Sequence, residues 1–178
     1  RLESEAVPAW RQASCSVWGI WQGLFGIASN ELIVMLDAVA EVDVGASLPP
    51  GVAVVEERSL RATVRPESSA PCDREGLYVF RRFSIDTANI DTVARLSNQA
   101  WTTFEGTDSY RAEPFGLFAP AERDSETCQM LLVTWYDGLE SWQTSRAPAP
   151  EAVENFRARH ALTHSTVAVA TRLVQRRS

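Results

Sequence analysis

Leu77-Tyr-Val-Phe-Arg-Arg-Phe-Ser-Ile85 is dense in aromatic and β-branched residues, a composition that predicts a strand. Asp86-Thr-Ala-Asn-Ile-Asp91 follows at once and offers several N-caps. From there Ile90, Val93, Ala94, Ser97, Ala100, Trp101 and Phe104 recur at three-and-four spacing, which predicts an amphipathic helix ending near Gly106. Tyr110-Arg-Ala-Glu-Pro-Phe-Gly-Leu-Phe118 and Cys128-Gln-Met-Leu-Leu-Val-Thr-Trp-Tyr136 read as two further strands. The polar stretch 119–127 joins them as a hairpin with a long turn. A second helical stretch runs from 139 to about 161, broken near Pro148 and Pro150, with Ala152, Val153, Phe156 and Ala161 as its apolar stripe. Ser165-Thr-Val-Ala-Val-Ala-Thr-Arg-Leu-Val174 alternates and closes the series. The order is β-α-β-β-α-β, the ferredoxin-like motif with an antiparallel sheet.

Working back from that core, the first half repeats part of the pattern. Residues 3–13 read as a helix, 16–25 as a strand, 31–39 as its hairpin partner and 52–64 as a closing strand. Gly23-Leu-Phe25 and Gly116-Leu-Phe118 end the first hairpin strand of each half, which suggests a duplication. An opening strand would precede Arg1, and a second helix would have to fit between Ala38 and Leu48, a gap too short for one. The expected organisation is therefore an incomplete ferredoxin-like half over 1–65, a linker over 66–76 and a complete half over 77–178. The linker's Pro, Ser and Gly content fits an exposed connector. Alternation within the first strand points Trp18 and Ile20 one way and Gly19 and Trp21 the other.

Composition sets the exclusions. The chain has 178 residues, 45% apolar and 22% charged, so it can bury a sizeable core. A net charge of −6 and a pI of 5.0 make nucleic acid a poor partner. All 17 basic residues are arginine, and with no lysine there is no Schiff-base chemistry and no lysine-dependent phosphate loop. Cys15, Cys72 and Cys128 are odd in number and far apart, as free thiols of a reducing compartment would be. No run of 18 apolar residues predicts a membrane span and no signal peptide is visible, so a cytoplasmic protein is expected.

The Tyr78–Ile85 strand, the helix end at Trp101 to Phe104, Pro114-Phe-Gly-Leu-Phe118 and Leu131-Leu-Val-Thr-Trp-Tyr136 followed by Asp137 together resemble the dimeric α/β-barrel superfamily. The closest flavour is the NIPSNAP-like proteins, with two ferredoxin-like units in tandem. The resemblance implies an α+β fold whose antiparallel sheets pack into a barrel, with a ligand cleft between sheet and helices. Its members include cofactor-free monooxygenases, haem-handling enzymes and small binding proteins, so fold alone fixes little about function.

Candidate site residues come from the aromatic excess. Aromatic side chains at strand spacing are usually core. If they leave a cavity, Phe118 and Trp135 should line it, Trp101 and Trp21 should contribute, and His164 should lie near its mouth. Arg81, Arg82, Arg111, Asp137 and Tyr78 are the polar groups beside them. His160 and His164 stand four apart, but the sequence around them reads as a helix running into a strand, so no metal site is expected and a surface position is the default. Three functions remain in play: binding of a small apolar or aromatic molecule, cofactor-independent oxygenation of an aromatic substrate, and haem binding through one histidine. No cofactor motif is present, and a homo-oligomer is the expected assembly.

Overall fold

The computed structural model describes residues 2–40, 42–147 and 150–174, the side chains of 150–152 and 155 excepted. The strands are β1 (Cys15–Phe25), β2 (Leu32–Ala38), β3 (Leu60–Arg65), β4 (Leu77–Asp86), β5 (Ala112–Pro120), β6 (Thr127–Tyr136) and β7 (Thr163–Leu173). The helices are α1 (Val7–Gln12), entered through a wider turn at Leu2–Ala6, then α2 (Ile90–Glu105), α3 (Leu139–Thr144) and α4 (Pro150–Ala161). All seven strands pair antiparallel in one sheet, ordered β2-β1-β7-β4-β6-β5-β3. The fold is α+β, as expected. Within it β7-β4-β6-β5 is the ferredoxin-like order. Outside it, β1 pairs with β7 and β3 pairs with β5. The strands of the first segment thus flank the second segment's four-stranded sheet on both sides.

The two faces of β4 separate by the period of a strand. Phe83 and Ile85 face α2, packing with Ile90, Val93, Ala94 and Trp101, while Leu77 and Val79 pack with Phe104, Tyr110 and Tyr136. Tyr78 and Phe80 face the other way and join Trp18, Trp21, Phe118, Val133, Trp135 and Val169. That second face is concave. Trp18 on β1 meets Phe115 and Phe118 on β5 at ring-centroid distances of 6.1 and 5.6 Å, although three strands separate β1 from β5 in the sheet. The sheet therefore curls into an open barrel around an aromatic core.

Strict alternation would split Trp18 from Trp21 and Phe115 from Phe118. The structure corrects that expectation for β1. The register slips between Val17 and Gly19, so Val17 and Ile20 pack on α1 while both tryptophans turn into the barrel. A second slip between Pro114 and Gly116 does the same for Phe115 and Phe118. Such bulges redirect side chains at the cost of one unpaired residue. Both strands put glycine under the aromatic two residues on. A Cβ at Gly19 would lie 2.2 Å from the Trp21 ring, and one at Gly116 would lie 2.5 Å from the Phe118 ring.

The strand expected over 52–64 forms only as β3, from Leu60. Leu60 is already opposite Pro120, the last residue of β5, and beyond one bond from the Ala121 N–H to the Ser59 carbonyl the earlier residues have no strand to pair with. Instead they cross the far end of the barrel, where Glu56 accepts from Arg82 at 3.0 Å and Arg58 donates to Gln129 at 2.7 Å. Between Ala38 and Leu48 the described residues hold only a short helical turn, Gly45–Ser47. Pro148, where a helix break was expected, lies outside the described residues. Cys15, Cys72 and Cys128 are free, as their number and spacing predicted.

Candidate ligand crevice

The near end of the barrel is closed by the segment expected to be a plain exposed connector. Most of 66–76 is exposed, but Cys72 is buried and its N–H donates to the Trp18 carbonyl at 2.6 Å. Tyr78 Oη donates to the Arg74 carbonyl and Trp135 Nε1 to the Glu75 carbonyl, both at 2.8 Å. Burial pushes the Cys72 thiol up to about 12, with nearby Asp73 adding to the effect, so the thiol stays protonated and unreactive. The Tyr78 phenol is raised by the same desolvation and remains a donor.

Beside this segment lies a crevice of about 850 Å³. Trp18, Phe115 and Trp135 form its aromatic wall, and Tyr110 stands at its side. The Arg74 guanidinium carbon lies over Trp135, 3.7 Å from the ring centroid, and 5.2 Å from that of Phe115, and Arg74 pairs with Glu113. A guanidinium stacked so continues the aromatic surface while presenting in-plane donors. Arg65 forks onto Glu105 at 2.5 and 3.1 Å, donates to the Pro114 carbonyl and sits 5.0 Å over Trp101. The hydrogen bond to Glu105 holds the Arg65 pKa above its ordinary value. Arg111 also lines the crevice, and among the described residues it has no ion pair. Burial, and then Tyr136, raise the Tyr110 pKa, so its hydroxyl is a neutral donor.

Trp135, Phe118 and Trp21 are brought together on the concave face, where Trp135 reaches the crevice wall and the other two pack in the core beneath. Trp101 lies on the opposite face of the sheet, because α2 covers the convex side. Only the Arg65 guanidinium over its ring links it to the crevice. His164 is not at the mouth. Strand β7 runs antiparallel to β4, so its start lies beside Ile85, while Trp135 pairs with Tyr78. That places them about 23 Å apart along the strands. His164 is exposed there and bonded to Asp86 at 2.8 Å, and His160 is exposed on α4. Among the other polar candidates, Arg82 pairs with Glu56 at the far end and Arg81 points toward the helices. Asp137 lines a separate shallow hollow beside α3. Among the described residues no group of His, Cys, Asp and Glu is placed to hold a metal.

Sequence reasoning passed over Arg65, Arg74, Glu105 and Glu113. These charges lie on a strand end, a connector and a helix end, where no periodicity marks a residue as inward-facing. The one usable signal was Cys72, a readily buried residue type within a connector mostly of Pro, Ser, Gly and charged residues.

No family model and no curated protein matches the sequence. Among solved structures, one titled "Crystal structure study of anthrone oxidase-like protein" superposes with a TM-score of 0.58 at 10% identity. The match covers 98% of this chain and 84% of that one. The two share the α+β architecture of a curled antiparallel sheet with helices on its convex side. At that identity the likeness concerns the fold alone. No helix among the described residues is long and apolar enough to cross a membrane.

Proposed function

We propose that the crevice binds a planar aromatic molecule bearing an acidic or carbonyl oxygen. The observation that carries this reading is the stacking of Arg74 on Trp135 at the edge of an aromatic wall. Aromatic side chains offer a flat apolar ligand its largest contact, and a few fixed donors set its orientation. Arg74, Arg111 and the Tyr110 hydroxyl are those donors. The test is quenching of tryptophan fluorescence by 1,8-dihydroxyanthraquinone. Saturable quenching is expected, weakened at least tenfold in Phe115→Ala and in Arg74→Gln but unchanged in Arg123→Gln. Non-saturable quenching, or equal affinity in all variants, contradicts the reading.

A second reading is favoured by the name of the structural neighbour: oxidation of such a substrate by dioxygen without a resident cofactor. For anthrone the balance is one dioxygen consumed, one oxygen entering as the new carbonyl and the other leaving as water with the two methylene hydrogens. The substrate carbanion supplies the electrons, so the protein has to provide a base and stabilise an enolate. Glu105 and Glu113 are carboxylates on the crevice wall and the arginines are the cations. Protein-dependent oxygen uptake with anthrone, lost in Arg74→Gln, is the result this reading expects. Uptake no faster than in buffer alone would leave binding without oxidation.

We further propose that 1–65 and 77–178 are related halves joined by 66–76, in the manner of the NIPSNAP-like proteins, and that the protein is cytoplasmic and self-associating. The matching bulges before Gly19 and Gly116 support the first point. Three free cysteines support the compartment, and the unpaired outer edges of β2 and β3 support association.

A further inference from the structure

The convex side of the sheet holds a group of side chains that the crevice does not use. Arg81 extends from β4 between Val79 and Phe83, both of which face the helices. Arg159 on α4 lies 5.8 Å over Phe83 and 5.1 Å over Phe156, with Nη1 3.4 Å from the Ser97 hydroxyl. Arg146 follows α3 and is exposed. All three guanidiniums lie within electrostatic reach of the Tyr136 phenol, which is buried and hydrogen-bonded to Ser145. Trp142 packs on the same cluster as Tyr136, and its Nε1–H is buried without an acceptor.

Five other arginines, 58, 65, 74, 82 and 123, pair with carboxylates, whereas among the described residues these three have none. Burial, then the like charge of Arg81, pushes the Arg159 pKa down to about 10. Burial also lowers Arg81. Partly buried like charges without a counter-charge are unfavourable unless an anion joins them. We propose that the space between β4, β6, α3 and α4 is a binding site for a small doubly charged oxyanion, held by Arg81, Arg159 and Arg146 with the Trp142 N–H. A tetrahedral dianion supplies the carboxylate-like acceptors these arginines lack, and Arg forks match its oxygens. The exposed Arg146 marks the side from which it enters.

The experiment is calorimetric titration of the full chain with sodium sulfate and with phosphate, against sodium chloride at matched ionic strength. The expected result is saturable binding of both oxyanions, absent with chloride and weakened at least tenfold in Arg81→Gln and in Arg159→Gln. Arg74→Gln, at the crevice, keeps the wild-type affinity. Hydrogen exchange of the wild-type chain gives a reading that needs no variant to fold, with sulfate slowing exchange over 139–147 and 153–162. Binding no stronger than chloride's, equal loss in Arg74→Gln, or protection confined to 66–76 would each overturn the site.

Discussion

Gly23-Leu-Phe25 and Gly116-Leu-Phe118 are the same tripeptide with opposite fates. Phe118 is 8% exposed in the barrel core, whereas Phe25 is 59% exposed at the last residue of β1. The true counterpart of Phe115-Gly-Leu-Phe118 lies earlier in β1, at Trp18-Gly-Ile-Trp21. Each of those stretches carries a bulge just before its glycine, at Trp18 or Phe115, and turns two aromatics, three apart, onto one face. Trp18 touches both phenylalanines across the barrel. What is repeated is thus a mechanical device rather than a word. A glycine without Cβ lets the next same-face aromatic fold over the backbone, and the bulge brings in a second one. The difference lies in depth. Trp18 and Trp21 are both closed in by the core, while Phe115 is only half-buried and forms the crevice wall.

The comparison breaks most visibly at Trp21, which is 0% exposed and stacked edge-on against Tyr78 and Phe80. Trp21→Ala should cost about 3–5 kcal/mol in denaturant unfolding. A loss near zero would mean that the barrel is not packed around it. Next come the glycines. Gly19→Ala and Gly116→Ala each force a methyl into an aromatic ring, and each should cost about 1–3 kcal/mol by overpacking. If only one is sensitive, the two stretches do not share a device.

The connector that caps Trp18 adds a pH signature. The Cys72 thiol is raised to about 12 from an ordinary 9.0, so the folded chain keeps a proton that the unfolded chain loses. Its stabilising effect is complete below pH 9 and is lost as pH rises from there toward 12. The alkaline loss of stability should shrink in Cys72→Ala, measured by thermal unfolding across that range. The smallest effect belongs to Phe25→Ala, expected within about 0.5 kcal/mol of wild type because the ring is solvated. A large loss there would restore the tripeptides as equivalents.

Much of this was legible in the sequence, and the misses share a cause. Residues Ile90, Val93, Ala94, Ser97, Ala100, Trp101 and Phe104 are all buried on α2, because helical spacing maps directly onto one face. The order of elements over 77–174 followed from alternation, helical spacing and turn composition. Trp18 was sent to the wrong face because a bulge shifts the period by one residue and leaves no compositional trace. The strand over 52–59 failed because propensity cannot say whether a neighbouring strand is present to pair with. His164 was misplaced through strand direction, which sets which end of the sheet a residue reaches. The crevice charges were invisible because Arg65 and Arg74 are positioned by Glu105 and Glu113, tens of residues away in sequence.

The central claim is that this crevice takes a flat aromatic ligand against Phe115, Trp135 and Arg74. A crystal structure of the chain soaked with 1,8-dihydroxyanthraquinone tests it most directly. The account predicts planar density parallel to the Arg74 guanidinium, in contact with Phe115, with a ligand oxygen within hydrogen-bond distance of Arg74, Arg111 or Tyr110. Density elsewhere, or an empty crevice at saturating ligand, would contradict it.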